Sequence, residues 1–142
     1  MSGASRRGAG LAAIGREISR QQRVSGELVA AYVDVDGLKT TNDATGHAAG
    51  DILLVAVAGS LRACLRTYDL ITRVGGDEFV CALPGIGIEN ARRRFEAVSA
   101  MLATELPGAS ITVGFARLQD GDSTDDLIQR ADDDVSRARR RR

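Results

Sequence analysis

Apolar positions along this chain fall into short continuous runs and longer segments with helical spacing. Four runs rich in apolar and β-branched residues predict strands, at residues 27–35, 69–74, 78–83 and 110–117. The first run is apolar at nearly every position, which is typical of a strand buried on both faces. Gly75 and Gly76 separate the second and third runs, and such a pair predicts a tight hairpin turn that uses positive φ angles.

Apolar residues recur at helical spacing in the other long segments. This spacing predicts helices at residues 11–22, 49–65 and 88–106. Ser123, followed three residues later by Asp126, resembles a capping box. We therefore expect a last helix that begins after Ser123 and runs through Val135.

The remaining segments predict a loop and an N-terminal arm, and together with the strands and helices they indicate a single domain. Residues 37–46 predict a turn with one short helical segment. Residues 1–10 are small, polar and basic, so we expect a flexible N-terminal arm followed by one domain at 11–142. Strands that alternate with helices around a hairpin predict an α/β fold of ferredoxin-like type, in which helices flank a central, mainly antiparallel sheet.

Composition favours one soluble domain and argues against a membrane span, nucleic acid and anionic lipid. The 142 residues are 44% apolar and 27% charged, which suits one core and leaves no room for two ordinary domains. The longest apolar run, 52–58, is far shorter than the ~20 residues of a membrane span, and no signal-peptide pattern is present. Net charge is zero, which argues against nucleic acid or anionic lipid. We expect a cytoplasmic protein without a membrane anchor.

Counts of the rarer residues limit the possible chemistry. Cys64 and Cys81 are the only cysteines, which excludes a four-sulfur zinc site and a disulfide framework, and both are expected to be buried thiols. His47 is the only histidine, so a Ser/His/Asp triad would have to use it. Lys39 is the only lysine. Any metal must therefore be held by carboxylates.

Carboxylates cluster where two predicted strands begin or end. Asp34 and Asp36 are two apart and share a face of the strand, while Asp77 and Glu78 follow the glycine turn. If the two strands are neighbours, Asp34 and Asp77 converge and could hold a hard cation such as Mg²⁺ for phosphoryl or nucleotidyl transfer. Solvated acidic residues at turns would give the same pattern, and spacing alone does not separate the two interpretations.

Two longer motifs resemble one family. Residues 73–79 contain the letters GGDEF, and residues 34–51 are similar to the second long motif of the GGDEF, or diguanylate cyclase, family. The resemblance covers about 27–139. It implies a palm-like α/β domain and an enzyme that condenses two GTP molecules into cyclic di-GMP with release of two pyrophosphates.

The resemblance implies roles for the clustered acids. Asp34 and Asp77 match the family's metal-binding carboxylates, and the Val35 carbonyl would also face a Mg²⁺ or Mn²⁺ ion. Asp77 would help to deprotonate the attacking 3′-hydroxyl, and Glu78 is the second acid of the motif.

Other matching positions would bind the nucleotide. Asn42 and Asp51 resemble the guanine-recognising pair, because a carboxylate accepts from both the N1–H and the amino group of guanine. Asp51 could instead cap a helix. Lys39 would lie near the phosphates. The remaining substrate-binding positions implied are Gly37, Leu38, Gly75, Gly76 and Arg139. For Arg139, a cation that favours the end of a helix is an equal alternative.

An inhibitory product site is also implied. Arg66 and Asp69 match the family's RxxD site for cyclic di-GMP at the expected distance before the glycine turn. Ala97 falls near the position of the family's distal arginine, and Arg93 or Arg94 could substitute for it.

Three functions remain open at this point. The first is a diguanylate cyclase that works as a homodimer and is slow unless dimerisation is enforced, because one domain binds one GTP. The second is a receptor for cyclic di-GMP or GTP that signals through a partner protein. A distant third is a nucleotide cyclase or polymerase-palm relative with different chemistry.

Overall fold

A computed structural model of the chain describes residues 3–38 and 46–141. Within these residues the helices and strands follow one another along the chain as α1 (Gly3–Val24), β1 (Leu28–Val35), α2 (His47–Cys64), β2 (Leu70–Arg73), β3 (Glu78–Pro84), α3 (Ile88–Glu105), β4 (Ile111–Arg117) and α4 (Thr124–Arg140). The four predicted strands and the helices predicted at 49–65 and 88–106 are confirmed to within two residues. The last helix begins after Ser123 as predicted and extends to Arg140. The short helical segment predicted within 37–46 lies mostly outside the described residues.

The four strands form one antiparallel sheet in the order β2-β3-β1-β4. β1 and β3 occupy the centre, and all eight residues of β1 are buried, as its continuous apolar pattern predicted. β2 and β3 are hairpin partners. This order and the helical crossovers confirm the predicted ferredoxin-like fold.

Each face of the sheet carries its own apolar core. Alternate residues of β1, beginning at Val29, pack with α2 and α3, whereas the others, beginning at Leu28, pack with α1 and α4. Two pairs of helices therefore enclose the sheet. Cys81 is buried in the first core and Cys64 is partly buried.

Helix α4 is fixed closely against β4. Its N-terminus has the predicted capping box, in which Ser123 and Asp126 each bind the other's backbone N–H. A Cβ at Gly114 would collide with the α4 backbone at the carbonyl of Ala131, so this glycine permits the close approach. Asp134 of α4 also accepts a hydrogen bond of 2.8 Å from the N–H of Phe115.

Two local predictions were wrong. The chain is helical from Gly3, so residues of the predicted flexible arm belong to α1. Gly10 lies so close to the side chain of Thr72 that no larger residue fits, and this contact ties the helix to β2. Neither Gly75 nor Gly76 has a positive φ, although Gly37 does. At Gly75 a Cβ would lie 2.5 Å from Glu78 Oε1, so a larger residue there would displace the end of the Glu78 side chain.

Among the described residues, α2 alone is long and apolar enough to cross a membrane by length and composition. One face of this helix, with Leu53, Val57 and Leu61, is buried in the core. A core helix of a soluble domain passes the same test, so the finding is weak evidence for a membrane span.

Candidate active site

Strand pairing brings the clustered acids to one end of the sheet. Asp34 lies directly opposite Glu78 in the register of β1 with β3. The N–H of Val35 donates to the carbonyl of Asp77 at 2.8 Å, which fixes the start of the hairpin strand beside the end of β1. β1 and β3 are therefore neighbours, which is the condition under which Asp34 and Asp77 were predicted to converge. Like charges placed opposite each other on a sheet disfavour folding, which is the usual mark of a functional site.

An arginine from α4 approaches this acidic end. Arg139 Nη2 lies 2.7 Å from Asp34 Oδ2 and 3.9 Å from Asp36 Oδ1. The hydroxyls of Ser110 and Thr112 each donate to Asp36 at 2.7 Å. Asp36 is thus hydrogen-bonded to Thr112 of β4 and to Ser110, which precedes β4. Asp34 is paired with the guanidinium of Arg139 in the last turn of α4.

The second oxygen of Asp34 has no such partner. Within the described part of the chain, Asp34 Oδ1 is buried and accepts no hydrogen bond. Burial raises the pKa of Asp34, the guanidinium of Arg139 opposes this shift, and the nearby charges of Asp77 and Glu78 add to it. A buried carboxylate oxygen without a partner is costly, and a bound cation would remove that cost.

Glu78 is oriented by a residue that sequence reasoning missed. The hydroxyl of Tyr32 donates to Glu78 Oε2 at 3.0 Å, and burial together with this bond raises the pKa of Tyr32. The signal was available, because Tyr32 and Asp34 are two residues apart on β1 and therefore point to the same face. Thr112 on β4 and Ser110, which directly precedes β4, had no comparable signal in the sequence.

The donor set suits a hard divalent cation. No three Asp, Glu, His or Cys side chains are grouped around a possible metal position anywhere in residues 3–38 and 46–141. Two carboxylates and a backbone carbonyl are nevertheless typical of Mg²⁺ sites, where substrate phosphates and water complete the octahedron. The unpartnered Oδ1 of Asp34 is the observation that favours a fit.

The predicted guanine and phosphate positions are only partly described. Lys39 and Asn42 lie outside the described residues. Asp51 is exposed on α2, whose N-cap is Gly46, so the alternative that Asp51 caps this helix is wrong. Gly37 follows β1 with a φ of +72°, a conformation that favours glycine, and the neighbouring Leu38 is buried.

The RxxD residues form a closed ion pair. The carboxylate of Asp69 is fully buried and accepts from the backbone N–H, Nε and Nη2 of Arg66 at 2.7–3.1 Å. Arg66 also donates to the carbonyl of Pro84 and lies over the ring of Tyr68. Hydrogen bonds to Asp69 raise the pKa of Arg66 further. Asp69 therefore holds Arg66, and its own oxygens are occupied.

Two cavities border these elements. One of about 490 Å³ is lined by Arg66, Arg93, Arg94 and Asn90 among others, so guanidinium groups from α3 and from the segment between α2 and β2 border it. A larger cavity of about 800 Å³ lies between α1 and the glycine turn, with Arg73 on its wall. Arg73 donates to the carbonyls of Gly75 and Gly76. Gly75 and Gly76, two of the predicted substrate positions, line this larger cavity, whereas Asp34 and Asp77 do not.

Comparison with known proteins agrees with this geometry. Residues 5–142 match the family model described as "Diguanylate cyclase, GGDEF domain". Diguanylate cyclase DgcP of Pseudomonas aeruginosa is 35% identical over 132 residues, 88% of this chain and 20% of the relative. Diguanylate cyclase DgcM of Escherichia coli K12 is 36% identical over 111 residues, 75% of this chain and 27% of the relative. This chain thus spans about a quarter or less of the length of these relatives.

Solved structures share the fold over nearly the whole chain. Diguanylate cyclase SiaD of Pseudomonas aeruginosa, crystallised in complex with its activator SiaC, superposes with a TM-score of 0.87 at 32% identity, covering 95% of this chain and 55% of that one. The GGDEF domain of TpbB from the same organism gives 0.87 at 30% identity, covering 96% and 84%. A microbial GGDEF domain described in a novel interaction mode with cyclic di-GMP gives 0.82 at 32% identity, covering 96% and 87%.

Proposed function

The chain belongs to the GGDEF domain family of diguanylate cyclases, and we propose that it condenses two GTP molecules into cyclic di-GMP with release of two pyrophosphates. The observation that carries this proposal is the buried, unpartnered oxygen of Asp34 beside the Asp77 backbone. A site that served only to solvate acids at a turn would leave both oxygens in water. Burial of one oxygen without a partner is consistent with a site kept for a ligand.

We infer that Asp34, Asp77 and the Val35 carbonyl hold Mg²⁺ or Mn²⁺. The ion would supply charge neutralisation for the triphosphate and for the leaving pyrophosphate. Asp77 would accept the proton of the 3′-hydroxyl, and Glu78, held by Tyr32, would keep the hairpin strand oriented. Among residues 3–38 and 46–141, these carboxylates are groups at the end of β1 that can take part in proton transfer.

Recognition of guanine is assigned to Asp51, together with Asn42. In the described part of the chain the Asp51 side chain is exposed and makes no hydrogen bond or ion pair, so its oxygens are available to the N1–H and amino group of guanine. Adenine lacks this donor pair, so we expect GTP to be preferred over ATP. Lys39 is proposed to contact the phosphates.

The condensation needs a second, facing copy of the domain. Each domain is expected to bind one GTP, so a homodimer brings the two reacting nucleotides together. Turnover by this domain alone is therefore expected to be slow and to increase with protein concentration. We propose that the protein acts in the cytoplasm, where GTP is available.

Product formation tests the proposal directly. The protein is incubated with GTP and Mg²⁺ at high concentration, and as a fusion to a dimeric coiled coil, and cyclic di-GMP is measured by mass spectrometry. We expect product from both preparations, more from the fusion, and none from Asp77→Asn. Asp133→Asn, an exposed position on α4, is the matched control and should retain activity. Absence of product from the dimeric fusion would refute the proposal.

A second function, binding of cyclic di-GMP, is favoured by the 490 Å³ cavity. Arg66 is held in place by Asp69, and Arg93 and Arg94 of α3 line the same space. We propose that these guanidinium groups contact the phosphates of the product, with Arg94 in the place of the distal arginine. In this arrangement Asp69 acts by positioning Arg66.

Calorimetry with cyclic di-GMP tests this second proposal. We expect Arg94→Ala to weaken binding about tenfold, in line with the loss of one charge-assisted phosphate contact. Arg62→Ala, an exposed position on α2, should leave binding unchanged. Equal affinity of the Arg94→Ala variant and the unmodified protein for cyclic di-GMP would show that this cavity is not the product site.

A further inference from the structure

Arg139 occupies the place of a cation at the acidic end of the sheet. Among the described residues it is the cationic side chain in ion-pair distance of Asp34, with Nη2 at 2.7 Å from Oδ2. The same nitrogen lies 3.9 Å from Asp36. The family resemblance placed this residue on the phosphates of the substrate, so its position here calls for a different role in the nucleotide-free protein.

We propose that Arg139 changes partners when the nucleotide binds. It neutralises Asp34 in the nucleotide-free protein and moves to the triphosphate of GTP, so that Asp34 becomes free to bind the divalent cation. This inference rests on the proposed function of the site, because it assumes that a triphosphate and a metal bind beside β1.

The two cations cannot share Asp34 without cost. A guanidinium and a divalent ion on the same carboxylate repel each other, and the repulsion is large because the Asp34 side chain is only 13% exposed. The incoming triphosphate carries several negative charges, and it can accept from a guanidinium through two oxygens at once. The exchange therefore relieves the repulsion and provides Arg139 with a new partner.

The surroundings of Arg139 permit such a movement. Its side chain is 47% exposed and lies in the last turn of α4. Arg66, by comparison, is 18% exposed and is bound by Asp69 and the Pro84 carbonyl. Asp36 stays in place when Arg139 leaves, because the hydroxyls of Ser110 and Thr112 hold both of its oxygens.

A coupling between metal and nucleotide follows from the exchange. Without nucleotide, the divalent ion must displace Arg139 from Asp34 and binds weakly. With a bound triphosphate, Arg139 has already left and the metal binds more tightly. The two ligands thus favour each other's binding, and a divalent ion alone is largely kept off the site.

Direct measurement of metal binding tests the exchange without turnover. Mn²⁺ is titrated into the nucleotide-free protein and free Mn²⁺ is followed by electron paramagnetic resonance, with Asp34→Asn defining the background from other acids. We expect Arg139→Ala to bind Mn²⁺ about tenfold more tightly than the unmodified protein, as expected when a cation that competes for the same carboxylate is removed. Arg137→Ala, on the same helix turn and paired with Asp134, is the matched control and should not change the affinity.

The nucleotide supplies the second measurement. A non-hydrolysable GTP analogue, titrated without metal, should bind Arg139→Ala about tenfold more weakly than the unmodified protein, because a phosphate contact is lost. Unchanged or weaker Mn²⁺ binding by Arg139→Ala would overturn the exchange. These readouts do not depend on catalysis, so a protein that shows the exchange but makes no cyclic di-GMP would refute the proposed activity alone.

Discussion

Two buried aspartates of this domain are paired with arginines, and the two pairs differ in one respect. Asp69 has both oxygens occupied by Arg66, at distances of 2.7–3.1 Å. Asp34 has one oxygen on Arg139 and the other buried without a partner among the described residues. In the first pair, both carboxylate oxygens are hydrogen-bonded to the arginine. In the second pair, one carboxylate oxygen has no partner, and the charges of Asp77 and Glu78 are nearby.

We interpret the Asp69 pair as structural and the Asp34 pair as part of the proposed binding site. A buried charge with all its hydrogen bonds made stabilises the geometry around it, and removal of one partner is costly. A buried carboxylate with one oxygen that accepts no hydrogen bond reduces stability in the free protein, and such groups occur at ligand-binding sites. We therefore expect substitutions at Asp34 to affect activity and those at Asp69 to affect stability.

The largest expected effect is at Asp34. Asp34→Asn keeps the size of the side chain and removes the charge, so cyclase activity should fall roughly a thousandfold, through loss of electrostatic stabilisation of the reacting phosphates. The free energy of unfolding should stay the same or increase, because burial disfavours the charged carboxylate and one of its oxygens has no hydrogen bond. Product assays and urea denaturation of the same preparation check both parts. A marked loss of stability would show that Asp34 is structural.

Asp69→Asn should have the opposite result. Loss of the charge leaves Arg66 with a weaker partner, and we expect a decrease of about 3 kcal/mol in the free energy of unfolding. Activity per folded molecule should change little. Chemical denaturation monitored by circular dichroism measures the first quantity, and turnover well below the melting temperature measures the second. If stability is retained, the distinction between the pairs fails.

The pH dependence of stability gives a third test. Since the pKa of Asp34 is raised in the folded protein, its contribution to stability is present below the usual aspartate pKa of about 3.9 and is lost as the pH rises through the raised value. Asp34→Asn should therefore gain stability relative to the unmodified protein between acidic and neutral pH. Denaturation at several pH values measures this difference.

Asp122 provides the control for that measurement. Hydrogen bonds from Arg130 lower the pKa of Asp122, so its contribution is present above the usual pKa and lost as the pH falls through the lowered value. The difference between the unmodified protein and Asp122→Asn should change with pH in the opposite direction. Parallel curves for the two variants would contradict both assignments.

The smallest expected effect is at Tyr32. Tyr32→Phe removes one hydrogen bond to Glu78 and should lower the free energy of unfolding by about 1 kcal/mol. Activity should fall less than tenfold, because Tyr32 orients an acid of the site and does not touch the substrate in our proposal. Steady-state kinetics at a fixed dimer concentration measure this. A loss as large as that of Asp34→Asn would place Tyr32 among the catalytic residues.

Much of the fold was predictable because it depends on local patterns. The continuous apolar run of β1, the glycine turn before Glu78 and the capping box at Ser123 each have a short-range physical cause. The start of α1 was not predictable in this way. Its glycine-rich beginning disfavours a helix, and the contact of Gly10 with Thr72 of β2, far away in the chain, compensates.

The site was predictable as a set of residues but not as a geometry. The sequence predicts that Asp34 and Asp77 converge only if the two strands are neighbours, and it leaves solvated acids at turns as an alternative. The pairing of Asp34 with Arg139 joins residues from the first strand and the last helix, and no sequence pattern specifies it. No sequence pattern specifies, either, that Arg66 hydrogen-bonds both carboxylate oxygens of Asp69, because this depends on the rotamer of Arg66 and on burial.

The contact of α4 with β4 also bears on how the protein behaves at high concentration. β4 is at the edge of the sheet, where unpaired N–H groups can recruit a strand from another molecule and begin aggregation. Asp134 occupies one such N–H, at Phe115, and the approach permitted by Gly114 holds it there. A charged residue that occupies an edge N–H in this way disfavours the addition of a strand from another molecule at β4.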